Sequence, residues 1–275
     1  MSSLITEAVS ARFEMVGAVP KEQDLYAGDG AEFYDRLVGS DRAEIREMLA
    51  LARGVEGPIL DIGAGSGRLT IPLLRSGRRV TALDLSDDML SRLRRAVPDH
   101  PMLECVVGDM RDFTLGRRFD LVIIGATSIT LLDRVGRSRF YANVRRHLAA
   151  GGVLAMTVAG GGSAASLSMS TDRVVAIPGP DGEEIYLFSQ QMEAGGAERL
   201  VNWVRVADLA EGSEATVLTS RLRVLGHDTL ARELIEAGFA APVISPVRTT
   251  GRDEILLLTT TWARTSDAGG RDASD

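Results

Sequence analysis

The chain has 275 residues, 45% of them hydrophobic and 25% charged, which suits one elaborated α/β domain or two small ones. A net charge of −7 argues against a nucleic-acid partner, because such partners call for a basic face. Cys105 is the single cysteine, so an intrachain disulfide framework is excluded. The start, "MSSLITEAVSARFEMV", has no apolar leader core, and no run of about 18 strongly apolar residues follows. A cytoplasmic protein with no membrane partner is expected.

Residues 1–50 read as helices and turns, with apolar residues at helical spacing in "AEFYDRLVG" and "DRAEIREMLALA". From residue 58 strands and helices alternate. "PILDI" is a strand, "GRLTIPLLRSG" a helix and "RVTALDL" a strand. Ser86 is a candidate N-cap, with Asp87 and Asp88 in the first turn where the helix dipole favours acids. "RLRR" at 92–95 reads as a solvated helix face. "LECVVGD" is a strand in which Cys105 reads as a buried core thiol without a basic neighbour. "FDLVIIGA", the helix "RVGRSRFYANVRRHL" and "GGVLAMTVA" complete the alternation, which predicts a parallel, doubly wound sheet with right-handed crossovers.

The rhythm breaks near residue 160. "AGGGSAASLSMS" reads as a linker or mobile loop, and four strand-like segments with turn chemistry between them form an antiparallel meander. A last helix, "DTLARELIEAGF", and strands near "APVISPV" and "EILLLTTTW" return to the main sheet. The expected division is an N-terminal helical lid over 1–50, an α/β domain over 51–160 and 223–263, an inserted antiparallel β subdomain over 161–222 and a disordered tail over 264–275.

"PILDIGAGSGRLTIPLL" is a glycine turn between strand and helix, the usual setting for a nucleotide-like ligand. A phosphate-binding P-loop needs a lysine that is absent here. A dinucleotide turn needs a third glycine where Arg68 stands. Asp84, at the end of the second strand, can accept both hydroxyls of a ribose, and Asp109 of "GDM" can accept an adenine amine. Asp61, just before the turn, would repel a pyrophosphate but suits an ammonium. S-adenosylmethionine carries an ammonium and a sulfonium and no phosphate.

The set "ILDIGAGSGRLT", "VTALDLSDDML", "VVGDMRDF", "FDLVIIGATSI" and "HLAAGGVLAMTV" resembles class I S-adenosylmethionine-dependent methyltransferases, in order and spacing, over residues 58–159. The inserted meander extends the likeness to bacterial N-methyltransferases acting on amino sugars and glycine-like amines. "FYDRLVGSDRAEIREMLALA", "GRRVTALDLSDDML" and "GDMRDFTLGRRFDLVIIGATSITLLD" are similar to methyltransferases of daptide-type ribosomal peptide clusters, understood to dimethylate an amine at a peptide C-terminus. The resemblance implies a mostly parallel seven-stranded sheet carrying the meander and the lid. It also implies S-adenosylmethionine as cofactor, S-adenosylhomocysteine as product, and a modified peptide or small-molecule amine as acceptor.

Carried over by motif, Gly63, Gly65 and Gly67 let the chain approach the methionine part of the cofactor, with Asp61 nearby. Asp84 takes the ribose hydroxyls, Leu85 and Met110 sandwich the adenine, and Asp109 takes its amine. Ala64, Met89, Gly125, Ala126 and Ser128 complete the implied cofactor set. Tyr34 matches a tyrosine that relatives fold over the cofactor, and Tyr26 is a second candidate.

Methyl transfer by in-line displacement needs neither a metal nor a covalent intermediate, and the chain offers no compact metal set. The amino-sugar enzymes carry a histidine where this chain has Leu131, so His227 and Tyr34 are the catalytic candidates. Arg68 reads as a surface helix arginine, with the methionine carboxylate as its alternative partner. Trp203 reads as a pocket wall or a packing residue. A homodimer through the second face of the meander is a hypothesis.

Overall fold

The structure, a computed structural model, describes residues 3–39, 42–248 and 254–262; the expected tail over 264–275 lies outside them. In chain order the elements are α1 (Glu7–Val16), β1 (Val19–Asp24), α2 (Asp29–Val38), α3 (Ile45–Arg53), β2 (Ile59–Ile62), α4 (Thr70–Arg75), β3 (Val80–Asp84) and α5 (Asp87–Ala96). There follow β4 (Leu103–Val107), β5 (Phe119–Ile124), α6 (Arg134–His147), β6 (Leu148–Ala159) and α7 (Gly161–Leu167). The meander strands are β7 (Thr171–Gly179), β8 (Gly182–Met192), β9 (Glu198–Arg205) and β10 (Glu214–Arg223). The chain closes with α8 (His227–Glu236), β11 (Val243–Val247) and β12 (Ile255–Thr261).

Seven described strands form the main sheet in the order β11-β12-β6-β5-β2-β3-β4. β2 pairs in parallel with β3 and β5, and only β12 is reversed, running antiparallel to both β6 and β11. "ILDI" and "LVII" are continuously buried, as strands covered on both faces must be. One core cluster gathers around Phe140, Tyr141, Leu230 and Leu234 of α6 and α8, and another around Met48, Leu73 and Leu74 of α3 and α4. The chain steps outward from β2 through β3 to β4, then returns to β5 on the other side of β2. The crevice at the carboxyl ends of these strands is the switch point where such sheets bind ligands.

The second sheet has the order β1-β10-β9-β8-β7. Its first strand corrects the helical reading of residues 1–50: "VPKEQD" is β1, paired in parallel with β10 from Val19 against Glu214 to Asp24 against Thr219. It is mostly exposed and polar, so no alternation of apolar residues marks it. The stretch expected to be a linker or mobile loop contains α7; the carbonyls of Leu167 at its end and of Met169 just beyond it accept the Gln190 amide at 3.1 and 2.6 Å.

The face of the meander assigned to a second subunit is covered by the chain itself. Val9 and Phe13 of α1 pack on Val204, Ala215 and Val217. The helix start is clamped by Thr6 N–H donating to Asn202 Oδ1 at 2.7 Å, and by a 2.7 Å hydrogen bond between the Thr6 and Ser189 hydroxyls. That face is not available for the dimer envisaged from sequence.

Two further corrections concern charge. Cys105 lies half-buried on the edge strand β4, with Arg94 beside it; burial nonetheless keeps the thiol pKa raised, and the thiol protonated. Arg92 is not merely a solvated face: it pairs with Asp35 at 3.3 Å and Glu32 at 3.7 Å, tying α5 to α2.

Candidate active site

The site grows from the turn after β2. Gly63, Gly65 and Gly67 all take positive φ, of 67°, 56° and 100°. At φ 100° any side chain on Gly67 is strained, and a Cβ there would also crowd Leu93 Cδ1 of α5 at 2.5 Å. Gly65 differs: a Cβ would meet nothing within 4 Å, because its Cα faces open space. The turn therefore brings backbone to the floor of the crevice and leaves room above it.

Asp84 closes β3. Its Oδ2 accepts the Gly65 N–H at 2.8 Å and its Oδ1 accepts the Ser86 N–H at 2.8 Å. Two backbone donors thus orient the carboxylate, and each oxygen keeps an acceptor site for another donor. Burial raises its pKa, and the backbone hydrogen bonds oppose that rise. Ser86 caps α5 as expected, accepting from Met89 N–H at 3.2 Å, and its hydroxyl donates to the Tyr26 carbonyl at 2.6 Å. One side chain both starts the helix and fastens the N-terminal segment over the site. A cap of this kind is worth about 1 kcal/mol.

Asp61 is 1% exposed and accepts the Thr70 hydroxyl at 2.6 Å. Burial lifts its pKa to about 7, with Thr70 and Arg68 pulling the other way and Asp84 and Glu44 adding to the rise. It lines the cavity as a carboxyl poised to be ionised by a cation.

Sequence reasoning missed Glu44. It is 1% exposed, sits at φ 70°, and accepts the Ala126 N–H with both carboxylate oxygens at 3.1 and 3.0 Å. Arg68 meets it at 3.3 Å and donates to the Ala43 carbonyl at 2.8 Å. Arg68 is therefore no surface arginine. Ala126 and Thr127 are both left-handed, with φ 53° and 56°, a strain of roughly 1–3 kcal/mol each that this brace holds in place. No sequence signal marks Glu44, because its partners lie 24 and 82 residues away.

A cavity of about 880 Å³ runs from these strand tips to the meander. It is at the upper end of the roughly 300–1,000 Å³ typical of ligand sites, with space for a nucleoside-sized cofactor and an acceptor. Tyr26, Tyr34, Asp61, Gly63, Ala64, Gly65, Asp84, Leu85, Met89, Asp109, Met110, Gly125, Ala126 and Ser128 all line it. Of the proposed cofactor set only Gly67 is set back, in its packing role. Leu85 is 69% exposed and presents an apolar face to the space. Tyr26 and Tyr34 stand edge to face with centroids 5.0 Å apart. Phe188, Val201, Trp203 and Leu222 wall the meander side, and Trp203 also packs on Phe33 of α2 at 5.2 Å.

One assignment changes and another gains a partner. Asp109 lines the cavity with Arg111 bound to it: Arg111 Nε reaches both of its oxygens at 2.9 Å and the Arg111 N–H donates to Oδ1 at 2.8 Å, which depresses its pKa. His227 does not line the cavity; it opens α8, half-buried, with Nε2 3.3 Å from Asp228 Oδ1. Gly226 holds the cap position. Leu225, two residues before His227, packs on the core cluster that includes Leu230 and Leu234 of α8. His227→Ala is expected to leave the turnover rate within about twofold of the wild type, measured by product formation; a loss beyond tenfold would restore it as a base.

Among the described residues no histidine or cysteine lines the cavity, no group of three or more His, Cys, Asp or Glu is placed to hold a metal, and no helix is long and apolar enough to cross a membrane.

Comparison with known proteins matches the methyltransferase-domain family over residues 59–152. The chain is 28% identical over 205 residues to the dTDP-3-amino-3,4,6-trideoxy-alpha-D-glucopyranose N,N-dimethyltransferase of Streptomyces venezuelae, covering 68% of this chain and 80% of that protein. It is 30% identical over 135 residues to the cypemycin N-terminal methyltransferase of a Streptomyces species, covering 48% of this chain and 55% of that one. The crystal structure of the glycopeptide N-methyltransferase MtfA with S-adenosylmethionine superposes with a TM-score of 0.57 at 31% identity, over 80% of this chain and 92% of that one.

The residues fit that cofactor: unspent acceptor sites on Asp84, open space over Gly65, and a buried carboxyl at Asp61 awaiting a cation. By sheet order, site and relatedness, the chain belongs to the class I methyltransferases and is an S-adenosylmethionine-dependent N-methyltransferase.

Proposed function

We propose that the acceptor is an amine on a small-molecule natural product, of the amino-sugar or glycopeptide kind, and that it is methylated twice. The observation that carries this reading is the continuous cavity, with the proposed cofactor residues on one wall and the aromatic face of the meander on the other. Support comes from relatives whose names record N-methylation of amino sugars and a glycopeptide.

S-adenosylmethionine supplies a methyl group bound to a sulfonium, a leaving group that needs no acid. The chain's residues then have three tasks. Asp84 and Asp61 fix the ends of the cofactor through hydroxyls and ammonium. Phe188, Val201, Trp203 and Leu222 surround the acceptor with apolar surface, which depresses the amine's pKa of about 10 toward the neutral, nucleophilic form. Tyr26 and Tyr34 close the space between the N-terminal segment and the meander, so the reacting groups are held in line; such positioning is worth up to roughly 7–11 kcal/mol. Burial raises the Tyr26 pKa, with the Ser220 hydroxyl beside it pulling the other way, so the phenol stays neutral and serves as a positioning partner rather than a base. With Leu131 at the cavity in place of an imidazole, the amine's proton passes to solvent.

A second reading has support of its own: an amine on a modified ribosomal peptide, consistent with the daptide-like motifs and the likeness to the cypemycin enzyme. Mass spectrometry after incubation with the cofactor and a panel of amino-sugar nucleotides, glycopeptides and C-terminally aminated peptides separates the two. Gains of one and two methyl masses on the sugars or glycopeptides support the first reading, and gains confined to the peptides replace it with the second.

A further inference from the structure

Four arginines line the cavity: Arg68, Arg111, Arg199 and Arg221. Arg68 has Glu44 at 3.3 Å, Arg111 has Asp109 at 2.5 Å, and Arg221 has Glu193 at 3.1 Å and Glu198 at 3.7 Å. Arg199 has no carboxylate within ion-pair distance among the described residues, and its buried Nε has no hydrogen-bond partner there. Burial pushes its pKa below the ordinary arginine value. An arginine does not lose its proton in a protein, so this is a desolvated charge without a counter-charge.

The position is built, not incidental. Arg199, Val201 and Trp203 alternate onto the cavity face of β9, opposite Leu222, Ser220 and Leu218 on β10 and opposite Met192, Gln190 and Phe188 on β8. Gln190 orients the guanidinium. Its amide nitrogen donates to the carbonyls of Leu167 and Met169, which turns its Oε1 toward Arg199 Nη1, and the two are hydrogen-bonded. The guanidinium is thus pinned by one neutral acceptor while its remaining donors are unspent. The Tyr26 phenol and Ser220 hydroxyl lie beside it.

We infer that Arg199 is an anion anchor at the acceptor end of the cavity, and that the methyl acceptor carries a carboxylate or phosphate group which this arginine receives. The inference rests on the methyltransferase reading of the same cavity and deepens it. The planar guanidinium can meet either oxyanion in a bidentate manner. An acceptor whose only nearby functional group is the amine would leave the charge uncompensated. The anchor therefore discriminates between otherwise similar amines, and selects against a peptide end that has lost its carboxylate.

The test uses the full chain, with and without saturating S-adenosylhomocysteine, titrated calorimetrically with inorganic pyrophosphate and, separately, with N-acetylglycine. At least one anion is expected to bind, with affinity falling tenfold or more in Arg199→Gln and by less in Arg199→Lys, while the affinity for S-adenosylhomocysteine stays within twofold. Binding of pyrophosphate alone assigns a phosphorylated acceptor, and binding of N-acetylglycine alone a carboxylated one. If neither anion binds the wild type, or Arg199→Gln binds them as well as the wild type does, the anchor is overturned. The wild-type titrations need no variant to fold. Failure of S-adenosylhomocysteine to bind would instead strike the cofactor reading, so the two failures are distinguishable.

Discussion

Asp84→Asn is expected to weaken S-adenosylhomocysteine binding by roughly a hundredfold, read by titration calorimetry at pH 8. The carboxylate accepts two backbone N–H groups at 2.8 Å, so the protein's own backbone orients it. Its remaining acceptor sites are proposed to take the two ribose hydroxyls. Hydrogen bonds to a charged group are worth about 1.5–3 kcal/mol each, and about 1.4 kcal/mol is tenfold in affinity. Asparagine has one acceptor oxygen and an amide that meets either the Gly65 or the Ser86 N–H as donor against donor. The glycine turn then also loosens, so melting of the ligand-free variant must be measured alongside to separate the two effects. A change below threefold would remove Asp84 from the ribose.

The second large effect is on pH. Without ligand, burial lifts the Asp61 carboxyl to a pKa of about 7. An ammonium bound beside it favours the ionised form and lowers that pKa in the complex. Cofactor affinity should therefore be flat above about pH 7 and fall with acidification below it, by up to about tenfold per unit, with a proton released on binding. Asp61→Asn should bind weakly throughout and lose this dependence.

The linked stability has the opposite sense. A carboxyl with a folded pKa above its unfolded value of about 3.9 contributes most stability below that value and loses it as pH rises toward 7. Thermal melts of ligand-free Asp61→Asn should accordingly gain on the wild type across that window, on the order of 1 kcal/mol per pH unit, and hold the gain above it. An affinity independent of pH between 5 and 8 in the wild type would contradict the ammonium role.

Legibility in the sequence followed the range of the interactions. The turn from β2 to α4, the Ser86 cap and the acids at the strand tips are local: a few adjacent residues fix them, and the alternation of strands and helices around them marked the parallel sheet. Glu44 and Arg68 were opaque because a buried ion pair between a loop before α3 and the start of α4 leaves no periodic trace. β1 was missed for a related reason. Its side chains are nearly all exposed, so its strand character comes from pairing with β10 and not from its own residues. The second face of the meander, offered from sequence as a subunit contact, is instead covered by α1 through two buried anchors, Val9 and Phe13. His227 failed because helix-entry placement, not chemistry, explains it.

The most direct test of the account is a crystal structure of the chain with S-adenosylhomocysteine. It should show both ribose hydroxyls on the Asp84 carboxylate, the amino group beside Asp61 and the sulfur facing the meander wall that carries Trp203 and Arg199. A ligand bound elsewhere, or one whose ribose makes no contact with Asp84, would contradict it.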